Sequence, residues 1–222
     1  MIRLETLPDL AAINARAVEL FLEAYHASEG PFNVALCGGR TPGGAYALLA
    51  GAGLDWNRIH IYWGDERYVP PSDEASNEGL ARREFLSKVP IPEGNVHPLY
   101  IEGGPALAAA TYAESIAGVT FHYCFQGLGS DGHTASIFPG DEASLVNPSL
   151  VAATHAPVGV SDRLSLTPAG FKNAKLLVFL VSGEDKRVPL HRFLAGDHLP
   201  SRVVAEAGEN SVILADLAAY GD

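Results

Sequence analysis

Four times along the chain a short apolar run stops at or just before a glycine. Phe32–Cys37 ends at Gly38-Gly39, Arg58–Trp63 at Gly64, Thr120–Gln126 at Gly127, and Leu176–Val181 shortly before Gly183. Runs of this length suit buried strands, and parallel neighbours must be joined by a crossover, usually a helix. Helical spacing does follow, so the repeated order of strand, glycine and helix restricts the fold to the α/β class with a mostly parallel sheet. Leu176–Val181 is the most continuous apolar run and reads as a central strand buried on both faces.

The helices are legible from their spacing and their ends. Between Pro8 and Ser28, Leu10, Ile13, Ala17, Leu20, Phe21 and Ala24 share one face, and Gly30-Pro31 ends the helix. Thr41-Pro42 reads as an N-cap followed by proline at the first helical position. Helices are also expected from Asn77 to Ser87, Pro105 to Ala117 and Glu184 to Leu194, with a short one after Gly127 cut off by Pro139-Gly140. Leu164–Leu166 predicts a short strand and Ser211–Ala215 the last one. No linker, repeat or low-complexity segment divides the chain, so residues 1–222 are expected to form a single domain. The architecture predicted is a mostly parallel, Rossmann-like open sheet flanked by helices, with a smaller appended α/β part.

Charge narrows the partners. Fifteen basic against 26 acidic side chains give a formal net charge of −11, which argues against nucleic acid and anionic membranes. An anionic ligand would need cations concentrated locally against that field. Only two cysteines occur, Cys37 and Cys124, in no CxxC or CxxH pairing, and none of the eight histidines falls in a metal-ligand spacing. Neither a disulfide framework nor a metal site is expected, and a reducing cytoplasm is the expected compartment. Met1–Asp9 carries three charges and no long apolar run, so no secretory or membrane-spanning segment is expected there.

Ligands of open parallel sheets sit beyond the carboxyl ends of the strands, which directs attention to residues 38–41, 64–67, 127–133 and 182–186. Gly38-Gly39-Arg40-Thr41 opens a helix and so offers N–H groups and a positive dipole end to an anion; a plain strand-to-helix turn is the competing explanation. Gly127-Leu128-Gly129-Ser130-Asp131-Gly132 formally matches GxGxxG. It is not a dinucleotide site, because the next helix is too short and no acidic residue follows about twenty positions on. Its content lies in Asp131 and His133: an imidazole on a strand-end loop, beside a carboxylate, can act as a general base on water. Asp65, Glu66 and Arg67 follow the second strand, and Lys186 follows the most buried one, where a surface lysine is the plainer explanation. Gly-x-Ser-x-Gly is absent, so no nucleophile elbow is present.

Taken in order, Cys37-Gly38-Gly39-Arg40-Thr41-Pro42, Trp63-Gly64-Asp65-Glu66-Arg67-Tyr68-Val69, Ser76-Asn77, Asp131-Gly132-His133-Thr134-Ala135-Ser136, Arg163-Leu164-Ser165-Leu166-Thr167 and Ser182-Gly183-Glu184-Asp185-Lys186 make the chain closely similar to the 6-phosphogluconolactonases over nearly its whole length. Cys37 stands where that family commonly has serine, and Ser130 where proline or an acidic residue is frequent. The first departure removes at most one phosphate hydrogen bond, about 1.5–3 kcal/mol. The resemblance implies hydrolysis of 6-phospho-D-glucono-1,5-lactone, without cofactor or metal, by a monomer or weak homodimer. His133 would activate water, with Asp131 or Asp65 orienting it. Arg67 or backbone N–H groups would stabilise the oxyanion, and Gly38, Gly39, Arg40, Thr41, Arg163 and Lys186 would hold the substrate and its phosphate.

Two rivals differ in class. Glucosamine-6-phosphate deaminases resemble the histidine loop but then carry a glutamate, whereas Thr134–Pro139 has no carboxylate. A non-catalytic sugar-phosphate sensor usually appends a basic DNA-binding segment, and none is legible here.

Overall fold

The structure is a computed structural model that describes residues 1–221. Its strands are β1 (Ile2–Leu7), β2 (Phe32–Leu36), β3 (Ile59–Trp63), β4 (Asp65–Arg67), β5 (Tyr123–Gly127), β6 (Val151–His155), β7 (Asp162–Leu166), β8 (Leu177–Val181) and β9 (Ser211–Asp216). Its helices are α1 (Leu10–His26), α2 (Gly43–Ala50), α3 (Asn77–Glu84), α4 (Pro105–Ser115), α5 (Glu142–Leu145), α6 (Pro168–Phe171), α7 (Arg187–Ala195), α8 (Pro200–Ala207) and α9 (Leu217–Tyr220).

Six strands form a parallel sheet in the order β1-β9-β8-β5-β2-β3. Every residue of β8 and of β9 is buried, as expected of strands covered by helices on both faces. The second sheet, β4-β7-β6, is antiparallel throughout. One apolar cluster runs through both, from Ile13 and Phe21 on the inner face of α1 to Leu164 and Leu166 in β7. Phe21 meets Phe32 edge-on at 5.2 Å, and Tyr123 lies tilted against both Phe21 and Phe125. The two sheets share one residue. Gly64 donates its N–H to Leu36 O at the end of β2 (2.9 Å), and its carbonyl accepts from Leu166 N in β7 (2.8 Å). No helix among the described residues is long and apolar enough to cross a membrane.

Several local expectations change. α2 begins at Gly43 with Pro42 in the cap position and no side-chain cap, so Thr41 does not cap it. The segment after Gly127 forms tight turns closed by a Thr134–Ile137 bridge, not a helix. Thr134 Oγ1 donates to Gln126 Oε1 and Gly127 O, and Ser136 Oγ to Asp65 Oδ2, so hydroxyls that compete with helical bonding are anchored elsewhere. Residues 65–67, read from sequence as loop, are strand β4 because they pair with β7. The expected helix at Glu184 opens as a single tight turn through Lys186 before α7 begins. β1 and α8 join the elements expected.

Candidate active site

A cavity of about 480 Å³ lies where the carboxyl ends of β2 and β5 face the small sheet. Gly38, Gly39, Asp65, Arg67, Asp131, His133, Arg163 and Lys186 all line it. Arg40 and Thr41 do not line it; Arg40 is exposed, one step beyond the glycines.

His133 is fixed by its own loop. Its carbonyl accepts from Gly129 N (2.8 Å), and its N–H donates to Asp131 Oδ1 (3.0 Å). The imidazole Nδ1 lies 2.6 Å from the same carboxylate oxygen, and the Phe138 ring packs 4.8 Å from the imidazole. A carboxylate only accepts, so this contact places the ring proton on Nδ1 and leaves Nε2 with its lone pair. Burial alone would raise the Asp131 carboxyl, but the His133 N–H and imidazole outweigh it and hold the group below its usual value. Gly129 makes room for the ring, since a Cβ there would stand 2.0 Å from Nδ1.

Asp65 does not hydrogen-bond His133. Its Oδ2 accepts from Ser136 Oγ (2.7 Å) and its Oδ1 from Asn77 Nδ2 (3.3 Å). Of the two carboxylates left open by the sequence, the contact to the imidazole is made by Asp131 alone. The neighbouring Glu66 is buried and saturated: Oε1 accepts from Arg67 N and Asn77 N, both at 2.7 Å, and Oε2 from Glu78 N (2.8 Å) and Ser76 Oγ (3.0 Å). It therefore clamps β4 to the first turn of α3. Burial pushes its carboxyl up to about 7 against the pull of those backbone N–H groups, and the Asp65 charge adds to the rise.

Arg67 and Arg163 stand directly opposite each other in the β4–β7 register. Like charges so placed repel, and neither guanidinium has a carboxylate partner among the described residues. Arg67 Nη1 donates to Ala75 O (2.6 Å) and Arg163 Nε to Val160 O (2.7 Å). Burial first and the Arg67 charge second lower the Arg163 pKa from its usual value. Lys186 differs, since Asp185 pairs with it at 3.0 Å. Burial, with the Asp65 charge, pushes the Cys37 thiol up to about 12, which disfavours the thiolate.

The family model described as glucosamine-6-phosphate isomerases/6-phosphogluconolactonase matches residues 5–214. The chain belongs to this family. It is 36% identical to a 6-phosphogluconolactonase of a Nostoc species over 92% of each chain, and 36% identical to one of a Synechocystis species over 82% of this chain and 81% of that one. Among solved structures, the 6-phosphogluconolactonase of Thermotoga maritima superposes with a TM-score of 0.87 at 30% identity, covering 97% of this chain and 100% of the other.

In this member of the family, sequence reasoning passed over Ser136, Asn77, Phe138, Pro157 and Val158 as lining residues. Ser136 and Asn77 stood inside the motifs of resemblance and needed only the question of what they touch. Pro157 and Val158 arrive on the β6–β7 turn, for which the sequence offers no signal. Among the described residues no group of three His, Cys, Asp or Glu side chains is placed to hold a metal ion.

Proposed function

We propose that this family member is a cytoplasmic, metal-independent 6-phosphogluconolactonase, hydrolysing 6-phospho-D-glucono-1,5-lactone to 6-phospho-D-gluconate in the oxidative pentose phosphate pathway. The observation that carries the reading is an Asp131–His133 couple in the same cavity as an opposed, unpaired arginine pair. The homologues named 6-phosphogluconolactonase support it.

Nε2 of His133 takes a proton from water as that water attacks the lactone carbonyl. The negative charge gathers on the carbonyl oxygen, where Arg67 or a loop N–H stabilises it, a contribution of about 2.7–4 kcal/mol per donor. The ring oxygen then leaves and recovers the proton from the imidazolium, which Asp131 stabilises through Nδ1. Gly38, Gly39, Arg163 and Lys186 hold the phosphorylated end. All of these groups come from one chain, so a monomer suffices.

The test is hydrolysis of lactone formed in situ from glucose 6-phosphate, measured above the spontaneous rate. Wild type is expected to accelerate ring opening, and His133→Ala to lower kcat by about 10²–10⁴-fold. Folded wild type that leaves the spontaneous rate unchanged refutes the reading and makes glucosamine 6-phosphate the next substrate to try.

A further inference from the structure

We infer that Asp65 is a specificity-determining residue that accepts a hydrogen bond from a ring hydroxyl of the substrate. The inference rests on the lactonase reading above and assigns Asp65 a role outside the histidine couple.

Asp65 is only 7% exposed, yet it lines the catalytic cavity. A buried carboxylate is costly unless paired and hydrogen-bonded. Here no cation lies within ion-pair reach among the described residues, and the side chain takes just two hydrogen bonds, one on each oxygen. A carboxylate offers about four acceptor sites. Two are thus left over, on a group whose plane is already fixed.

The donors that fix it are themselves held. Asn77 is pinned by its backbone bond to Glu66 and by a second Nδ2 bond to Asp65 O (2.9 Å). Ser136 is pinned from both sides, its N–H on Ser165 Oγ (3.2 Å) and its carbonyl accepting from Thr154 Oγ1 (2.7 Å). Asn77 and Ser136 are therefore positioning residues for the Asp65 carboxylate. A side chain at Gly38 would collide with Asn77, since a Cβ would stand 1.9 Å from its Oδ1, so the glycine loop and the carboxylate keep one spacing.

Electrostatics selects the ligand group. Arg67, Arg163 and Lys186 draw an anion into this cavity, and a carboxylate on its wall repels the same anion. Only donor groups on the ligand turn that repulsion into attraction, and a phosphorylated sugar lactone carries hydroxyls as its donors. His133 cannot be the partner, because Asp131 already fills Nδ1 and Asp65 makes no bond to the ring.

The experiment compares the parent lactone with its 2-deoxy, 3-deoxy and 4-deoxy analogues, each made by oxidising the corresponding sugar phosphate just before use. For wild type, Asp65→Asn and Asp65→Ala, the readout is kcat/KM for the parent divided by that for each analogue. Within one preparation this ratio is independent of the fraction folded, so partial unfolding of a variant does not obscure it. Wild type is expected to disfavour at least one deoxy lactone by about 10–100-fold, the size of a hydrogen bond to a charged acceptor. Both variants should shrink that preference, alanine more than asparagine. Loss of rate on all four lactones in equal proportion overturns the inference and makes Asp65 an acid–base group. If wild type fails to accelerate even the parent lactone, the lactonase reading falls and the inference with it.

Discussion

An alanine at position 129 should cost nearly as much activity as removing the histidine itself. The new Cβ would lie 2.0 Å from His133 Nδ1, so the imidazole must leave Asp131. Kinetics of Gly129→Ala are expected to show kcat lowered by about 10²–10⁴-fold, as for loss of a general base, in protein that its melting curve shows to be folded. Wild-type kcat would show that the ring does not work in this orientation. At this scale the sequence was informative where function depends on neighbours along the chain. Asp131 and His133 are two residues apart, and a tight loop forces them together. It was silent where function depends on contact through space. What Asp65 touches was not legible, because its hydroxyl partner Ser136 is 71 residues away. Arg40 and Thr41 were read with the glycines as a helix-opening anion loop, and both lie outside the cavity lining.

The pairing of β4 with β7 is the element that concentrates positive charge. Bringing Arg67 opposite Arg163 is unfavourable in the empty protein, and a bound dianion relieves it. 6-Phosphogluconate, the proposed product, should therefore stabilise the fold. At a hundred times its Kd it would add about 2.7 kcal/mol, roughly 5–11 °C in Tm for a chain of this size. Arg163→Met should lose most of that shift, and an equal shift in wild type and variant would remove Arg163 from the binding site. β4 illustrates why some elements escape a sequence reading. Asp-Glu-Arg has no apolar signature, and its strand character comes entirely from the partner it meets. β1 is the milder case: Ile2, Leu4 and Leu7 are half-buried and Arg3 and Thr6 exposed, as on an edge strand. Long apolar runs such as β8 were legible because burial on both faces leaves no room for polar residues.

Across the whole molecule, three histidines contribute to the acid side of the stability profile. Burial lowers the pKa of His60, His97 and His122 below 6.5, aided by the His60 charge at His97 and by Lys175 and Arg58 at His122. A group whose folded pKa lies below its unfolded one gives stability present above the unfolded value and lost as the pH falls through the folded value. Glu66 has the opposite sign: its folded pKa of about 7 lies above the unfolded one, so its contribution is full in acid and fades as the pH rises through 7. His60 and His97 lie 3.1 Å apart, nitrogen to nitrogen, so each proton added to one opposes the other. Denaturant melts of His60→Gln/His97→Gln are expected to show a smaller loss of stability than wild type as the pH falls from 6.5; matching pH slopes would remove these two rings from the acid side of the profile. The strand order conveyed the mostly parallel α/β class and a smaller appended part, but not that this part is an antiparallel sheet, because it is built from short segments far apart in the chain.

Gly64 gives this architecture a mechanical meaning. The histidine loop rides on the parallel sheet and Arg163 on the antiparallel one, and Gly64 is bonded to both sheets, through its N–H to one and its carbonyl to the other. The site is built like a calliper whose span, from the His133 imidazole to Arg163, is set by Gly64 together with the bonds of Ser136 to Asp65, Ser165 and Thr154. Misplacement by 1 Å can cost about a hundredfold in rate. Changes at these few bonds would reset that span and leave both jaws as they are.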